Sequence, residues 1–204
     1  IILGYNIIWS ILLAFAAFFA CFASIYKIAG SLKSGGIKNL LQRNRFYAAM
    51  IVHLGLAVIS FGIIMSSFYQ YHNTFIAKPG DVFQYRNYSF EIDAYRTVQE
   101  KNYIAAYVPI KIYKNGVFLS TAYPEIREYN THETQSFGEI SYLSMITGDL
   151  YFALYSFHED GSMRIPFIFQ PFVSWIWAGC AIMAIGAIFG AFNFKRKDER
   201  DKTA

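Results

Sequence analysis

Charge is what long parts of this 204-residue chain lack. Residues 1–26 and 165–194 carry none, and residues 46–71 carry none apart from the titratable His53. Each run exceeds the ~20 apolar residues that cross ~30 Å of hydrocarbon. A buried helix of a soluble protein rarely runs so far without a charged face. The pattern predicts three membrane spans, at roughly 3–26, 46–69 and 171–193. Cysteine is scarce as well: Cys21 and Cys180 stand alone near the middle of their spans, with no CxxC or Cys-His spacing. This argues against zinc and dithiol redox chemistry and leaves two small apolar side chains. No P-loop, nucleophile elbow or metal motif occurs, so no catalytic set is legible.

The charges that are present give a topology. Lys27, Lys33, Lys38, Arg43 and Arg45 lie between the first two runs with no acid among them. Residues 72–164 hold eleven acids and eight bases, and the tail from Lys195 is again basic. By the positive-inside rule, the short link and the tail face the cytoplasm or matrix, and the long segment faces outward. The net charge of +4 is therefore a topology signal, and nothing makes a basic groove for nucleic acid. The expected organisation is span one at 1–29, a basic loop at 30–45, and span two with His53 at 46–71. An outer domain at 72–164, span three at 165–194 and a basic tail at 195–204 follow. Residue 1 falls inside an apolar run without a basic flank, so we expect further sequence before it.

The outer segment alternates apolar and polar residues around Phe83, Tyr85, Tyr88, Phe90 and Ile92. Asn115-Gly116 between two apolar runs is the strongest short hairpin signal and favours a type I′ turn. The expected fold is an α-helical integral membrane protein with an antiparallel β sandwich or barrel of five to seven strands between spans two and three. His72, His132 and His158 read as surface histidines. Glu125, Arg127, Glu128 and Glu133 make either a solvated charge cluster or a docking surface.

His53 is the candidate site. An ionisable group inside a lipid span is costly and marks function by default, and imidazole is the commonest metal ligand. It lies eight residues past Arg45, ~12 Å along the helix, in the inner half of the bilayer. His72 is ~28 Å further on and cannot share one iron with it. A cofactor ligand, a hydrogen-bonded structural histidine and a proton-handling group all fit this position. Gly55 and Gly62, seven residues apart, allow a close neighbour, as does Gly186-x-x-x-Gly190.

Four segments in order carry a family resemblance: Arg45-x-x-x-x-Met50-Ile-Val-His53-Leu-Gly55, Pro124-Glu125-Ile126-Arg127-Glu128-Tyr129, Gly148-Asp149-Leu150-Tyr151, and Gln170-Pro171-Phe-Val-Ser-Trp175-Ile-Trp177-Ala-Gly179. From about Arg45 to its end the chain resembles the C-terminal part of the CcmF family, the haem-lyase subunit of the Ccm system of cytochrome c maturation. The resemblance implies a haem b in the membrane, with His53 as one axial ligand to its iron. It implies as partners the N-terminal part of the haem lyase, a CcmE-type haem chaperone, CcmH- and CcmI-type subunits, apocytochrome c and the bilayer. The implied location is a bacterial or mitochondrial inner membrane, with the β domain on the periplasmic or intermembrane-space side. The family's WWD haem-transfer segment is absent, so this chain alone would hold half of the haem b site and no transfer site. Arg43 and Arg45 are either propionate partners or positive-inside anchors. The competing readings are a haem-free assembly scaffold and a ResB/CcsB-type cytochrome c synthesis subunit. A transporter fragment would show broken helices and intramembrane acids, and neither is seen.

Overall fold

The computed structural model describes residues 2–129 and 136–192. Two compact units emerge, one formed by Ile1–Tyr69 with Pro171–Ala204 and one by Gln70–Gln170.

The first unit is helical. Helix α1 (Ile2–Gln42) and helix α2 (Asn44–Phe68) precede the second unit, and helix α3 (Val173–Ala191) follows it. Ile8–Ser34, Asn44–Phe68 and Val173–Ala191 are each long and apolar enough to cross a membrane. The basic stretch at 30–45 differs from the expected loop: the helix continues to Gln42, interrupted only at Gly36, whose φ of 61° suits glycine. Lys, Arg, Leu and Gln are good helix formers, so charge ends the apolar run without ending the helix.

Helices α2 and α3 pack antiparallel at backbone contact. A Cβ on Gly55 would stand 2.5 Å from Met183 Cγ and 2.7 Å from the Gly179 carbonyl oxygen. One on Gly179 would meet the Gly55 carbonyl at 2.7 Å and Ile59 Cγ1 at 2.6 Å. Gly62 faces Ile176, Gly186 faces Ile51 and Val52, and Gly190 faces Ala48. Gly55 and Gly62 on α2 and Gly179, Gly186 and Gly190 on α3, at spacings of seven or four residues, thus form one seam, where dispersion and close backbone approach replace a hydrophobic drive. Phe61 closes one end of this pair, 5.5 Å from both the Phe172 and the Trp175 rings.

Helix α1 packs on α2 through a second seam of small residues. Ser10, Ala17, Ser24 and Ser31 are buried at seven-residue intervals. The buried Tyr47 hydroxyl donates to Ser31 Oγ at 2.9 Å, which fixes the antiparallel register of the two helices.

The second unit is a β sandwich. One sheet orders the strands Tyr71–Ala77, Met163–Pro171, Gly148–Phe152 and Ser141–Leu143, with Ser156–Phe157 also on Met163–Pro171. A second orders Val82–Tyr85, Tyr88–Ile92, Ile110–Lys114 and Val117–Ala122. A third orders Arg96–Gln99, Tyr103–Tyr107, Glu125–Tyr129 and Ser136–Glu139. The strand pairs are antiparallel at Tyr71–Ala77 with Met163–Pro171, at Ser141–Leu143 with Gly148–Phe152, at Ser156–Phe157 with Met163–Pro171, and throughout the second and third sheets. Thirteen short strands among the described residues replace the five to seven expected, because tight turns cut the alternating runs into short pieces. The last of them takes residues 165–171 from the expected third span: its burial alternates with period two, as a strand's must.

The core lies between the first two sheets. Phe90 is fully buried, with ring centroids 5.0 Å from Phe167 and 5.1 Å from Phe152. Ile92, Ile110, Ile112, Leu150 and Ile165 complete its centre. The Asn115-Gly116 turn has φ of 51° and 77°, the double positive φ of a type I′ hairpin.

Candidate functional site

Helix α2 has two working faces. Its glycine face meets α3, while His53, two residues before Gly55, projects about 160° away around the axis. There it lines a groove of about 470 Å³ between α1 and α2. The α1 wall is made of Leu13, Ala16, Ala17, Ala20 and Ala23, and Met50, Leu56 and Ala57 flank His53 on α2. Small alanines at helical spacing make that wall flat and apolar.

The imidazole is oriented by its own helix. His53 Nδ1 lies 2.6 Å from the Ala49 carbonyl oxygen. A carbonyl can only accept, so Nδ1 carries the proton, and a neutral ring keeps its lone pair on Nε2. This is how metal-binding histidines are commonly held: one ring nitrogen donates to a carbonyl and the other is left to ligate.

Three other polar side chains line the groove. Ser24 and Ser60 donate back to the Ala20 and Leu56 carbonyls, each at 2.9 Å, which uses up their protons. Lys27 is the third and makes no ion pair among the described residues. No cluster of three or more His, Cys, Asp or Glu forms among the described residues, so the groove offers a metal one donor. One nitrogen donor beside a flat apolar wall would fit a metal that arrives with most of its ligands already supplied by a planar macrocycle, as in a haem.

The remaining candidates separate from this site. Arg43 stacks over Phe46 at 4.8 Å, and neither Arg43 nor Arg45 lines the groove. His72 and His158 are exposed in the β unit, and His132 lies outside the described residues. Cys21 and Cys180 are free thiols on helices. Glu125 and Arg127 of the expected charge cluster do pair, with Glu139 rather than Glu128 as the second carboxylate on the guanidinium. Arg127 also lies over the Tyr103 ring at 5.0 Å. Glu133 lies outside the described residues.

Asp149 is buried and receives the Ser144 hydroxyl at 2.8 Å and the Tyr151 hydroxyl at 3.1 Å. Burial first, and then the Asp149 carboxylate, push the Tyr151 phenol up to about 12. These are structural locks of the β unit. The Pro-Glu-Ile-Arg-Glu-Tyr and Gly-Asp-Leu-Tyr segments thus supply folding contacts of the β unit, while the segment with His53 lines the groove between α1 and α2.

A family model described as the CcmF C-terminal beta-sandwich matches residues 68–171. The chain belongs to the CcmF family. The CcmF of Escherichia coli, a cytochrome c-type biogenesis protein, is 31% identical over 189 residues, which cover 91% of this chain and 29% of that protein. The CcmF of Pseudomonas aeruginosa is 30% identical over 148 residues, covering 72% of this chain and 22% of its own length. The fold matches a solved structure, the cytochrome c haem lyase CcmF, with a TM-score of 0.68 at 15% identity. That match covers 93% of this chain and 33% of the other. The chain therefore spans under a third of each of these two CcmF relatives. With its membrane-length helices it is the C-terminal part of a multi-pass membrane protein of the CcmF type.

Proposed function

We propose that this chain works in cytochrome c maturation as the C-terminal part of a haem lyase, and that His53 is one axial ligand of a haem b in the membrane. One observation carries the reading: within a CcmF-family chain, the imidazole donates from Nδ1 to Ala49 and leaves Nε2 free beside an alanine-walled groove. Bound there, the haem iron supplies one-electron chemistry. His53 fixes the orientation of the ring that meets the iron, and the α1 wall excludes water and tunes the local dielectric.

The second axial ligand comes from the N-terminal part of the protein, on the same or a separate chain. Joining haem to apocytochrome c needs alignment of reactants more than a protein nucleophile, because the apocytochrome brings its own cysteine thiols. The β unit serves as the platform for that alignment. It faces the periplasm or intermembrane space, a reading supported by the basic link at the other end of α2. CcmE-type, CcmH-type and CcmI-type proteins are its working partners.

The test is a reduced-minus-oxidised visible spectrum of the purified detergent-solubilised complex, wild type beside His53→Ala. A b-type signal that is lost in the variant supports the reading. A signal unchanged by the substitution, or no haem in wild type, makes the chain an assembly scaffold instead.

A further inference from the structure

The groove is also lined by one lysine, Lys27, whose place follows from the register of the helices. Ser31 of α1 and Tyr47 of α2 are level, joined by the 2.9 Å hydrogen bond. Lys27 is four residues from Ser31, ~6 Å along α1, and His53 is six residues from Tyr47, ~9 Å along α2, in the same direction. The two Cα atoms therefore differ in depth by only ~3 Å. Lys27 shares a stripe with Ala16, Ala20 and Ala23, so its side chain starts from the wall facing His53. An ammonium and an imidazole in one apolar groove, without a carboxylate lining it, call for a ligand that brings its own negative charge.

We propose that Lys27 is a positioning residue of this site, which holds a carboxylate on the edge of the planar ligand whose metal His53 binds. On the haem reading, which this inference rests on, that carboxylate is a propionate. The pairing sets the rotation of the ring in its plane, which one axial nitrogen leaves undetermined. It also places a fixed positive charge beside the iron, and that charge favours the reduced state. Snorkelling to the inner headgroups is the competing role for a lysine at this depth, in which the ammonium meets lipid phosphate and the ring is untouched.

The experiment is a redox titration of the b-type signal in the whole purified complex, combined with resonance Raman spectra of the propionate bending modes. The proteins are wild type, Lys27→Met, Lys27→Arg and, as a control cation, Lys33→Met. Lys27→Met is expected to retain haem, to shift the propionate modes, and to favour the oxidised form about tenfold, a lowering of ~59 mV for one electron. Lys27→Arg restores both readouts, and Lys33→Met leaves both as in wild type. If Lys27→Met loses haem while Lys27→Arg keeps it, with unchanged helicity and elution, the charge is again the deciding property and the proposal stands. Unmoved propionate modes with haem retained overturn it and return Lys27 to the lipid surface. Loss of the signal already in wild type overturns the haem reading itself.

Discussion

Asp160 holds its turn in the β unit through several donors: the Ser162 hydroxyl at 2.6 Å, the Ser162 backbone N–H at 3.0 Å and the Lys78 ammonium at 3.3 Å. The Ser162 hydroxyl first, then its backbone N–H and Lys78, hold the carboxyl down at about 2. In the unfolded chain the group returns to about 3.9, so the folded state binds its proton more weakly. Its contribution is therefore complete above about pH 4 and is lost as the pH falls towards 2. Thermal midpoints of the protein measured down this range should fall more steeply for wild type than for Asp160→Asn. Equal slopes would remove the turn from the acid response. At this scale the sequence exposes one residue well and hides another. His53 stands out because everything around it is uncharged. Lys27 is hidden, because one lysine in a basic link looks like any other until the Ser31–Tyr47 bond sets its level.

Helix packing turns on which glycines meet backbone. Gly55→Ala places a methyl against Met183 and the Gly179 carbonyl, so α2 and α3 must move apart. Overpacking of this kind costs about 1–3 kcal/mol. Gly30, also helical, has nothing within 4 Å of its added methyl, and there alanine gains about 1 kcal/mol of helix propensity. Thermal loss of monodisperse protein in detergent should therefore come earlier for Gly55→Ala and no earlier for Gly30→Ala. The reverse order would mean that the seam does not limit stability. The spacing of Gly55 and Gly62 is readable along the chain, but which helix fills it is not, since Gly179 and Met183 are more than a hundred residues away. Ser10, Ser24 and Ser31 read as scattered polar residues and form a packing stripe only once Ala17 is seen between them. The strand Met163–Pro171 shows a related ambiguity: an uncharged run announces apolar surroundings, and only its period separates strand from span.

For the whole molecule, the two units carry separate cores. The β unit is built around aromatic packing, with Phe90 touching Phe75, Phe152 and Phe167. Residues 70–170 expressed alone should unfold cooperatively in urea, and Phe90→Ala should remove about 3–5 kcal/mol. A broad, non-cooperative transition for the wild-type segment would show that the sandwich depends on the helices. The class of the molecule, membrane-length helices and a β sandwich, is legible because composition separates the two parts. The count of strands is not, because alternation marks faces and turn chemistry marks ends, and only the Asn115-Gly116 turn is unambiguous.

The sandwich begins and ends on one antiparallel pair, with Tyr71 opposite Phe169 and Ala77 opposite Met163. Partners in such a pair are only about 5 Å apart, so the chain leaves the sandwich beside the point where it entered. The sandwich is then a cassette set into a helical hairpin. Evolution can lengthen it, trim it or exchange it without altering how α2 meets α3, and the groove at His53 can stay constant while the surface offered to other proteins changes.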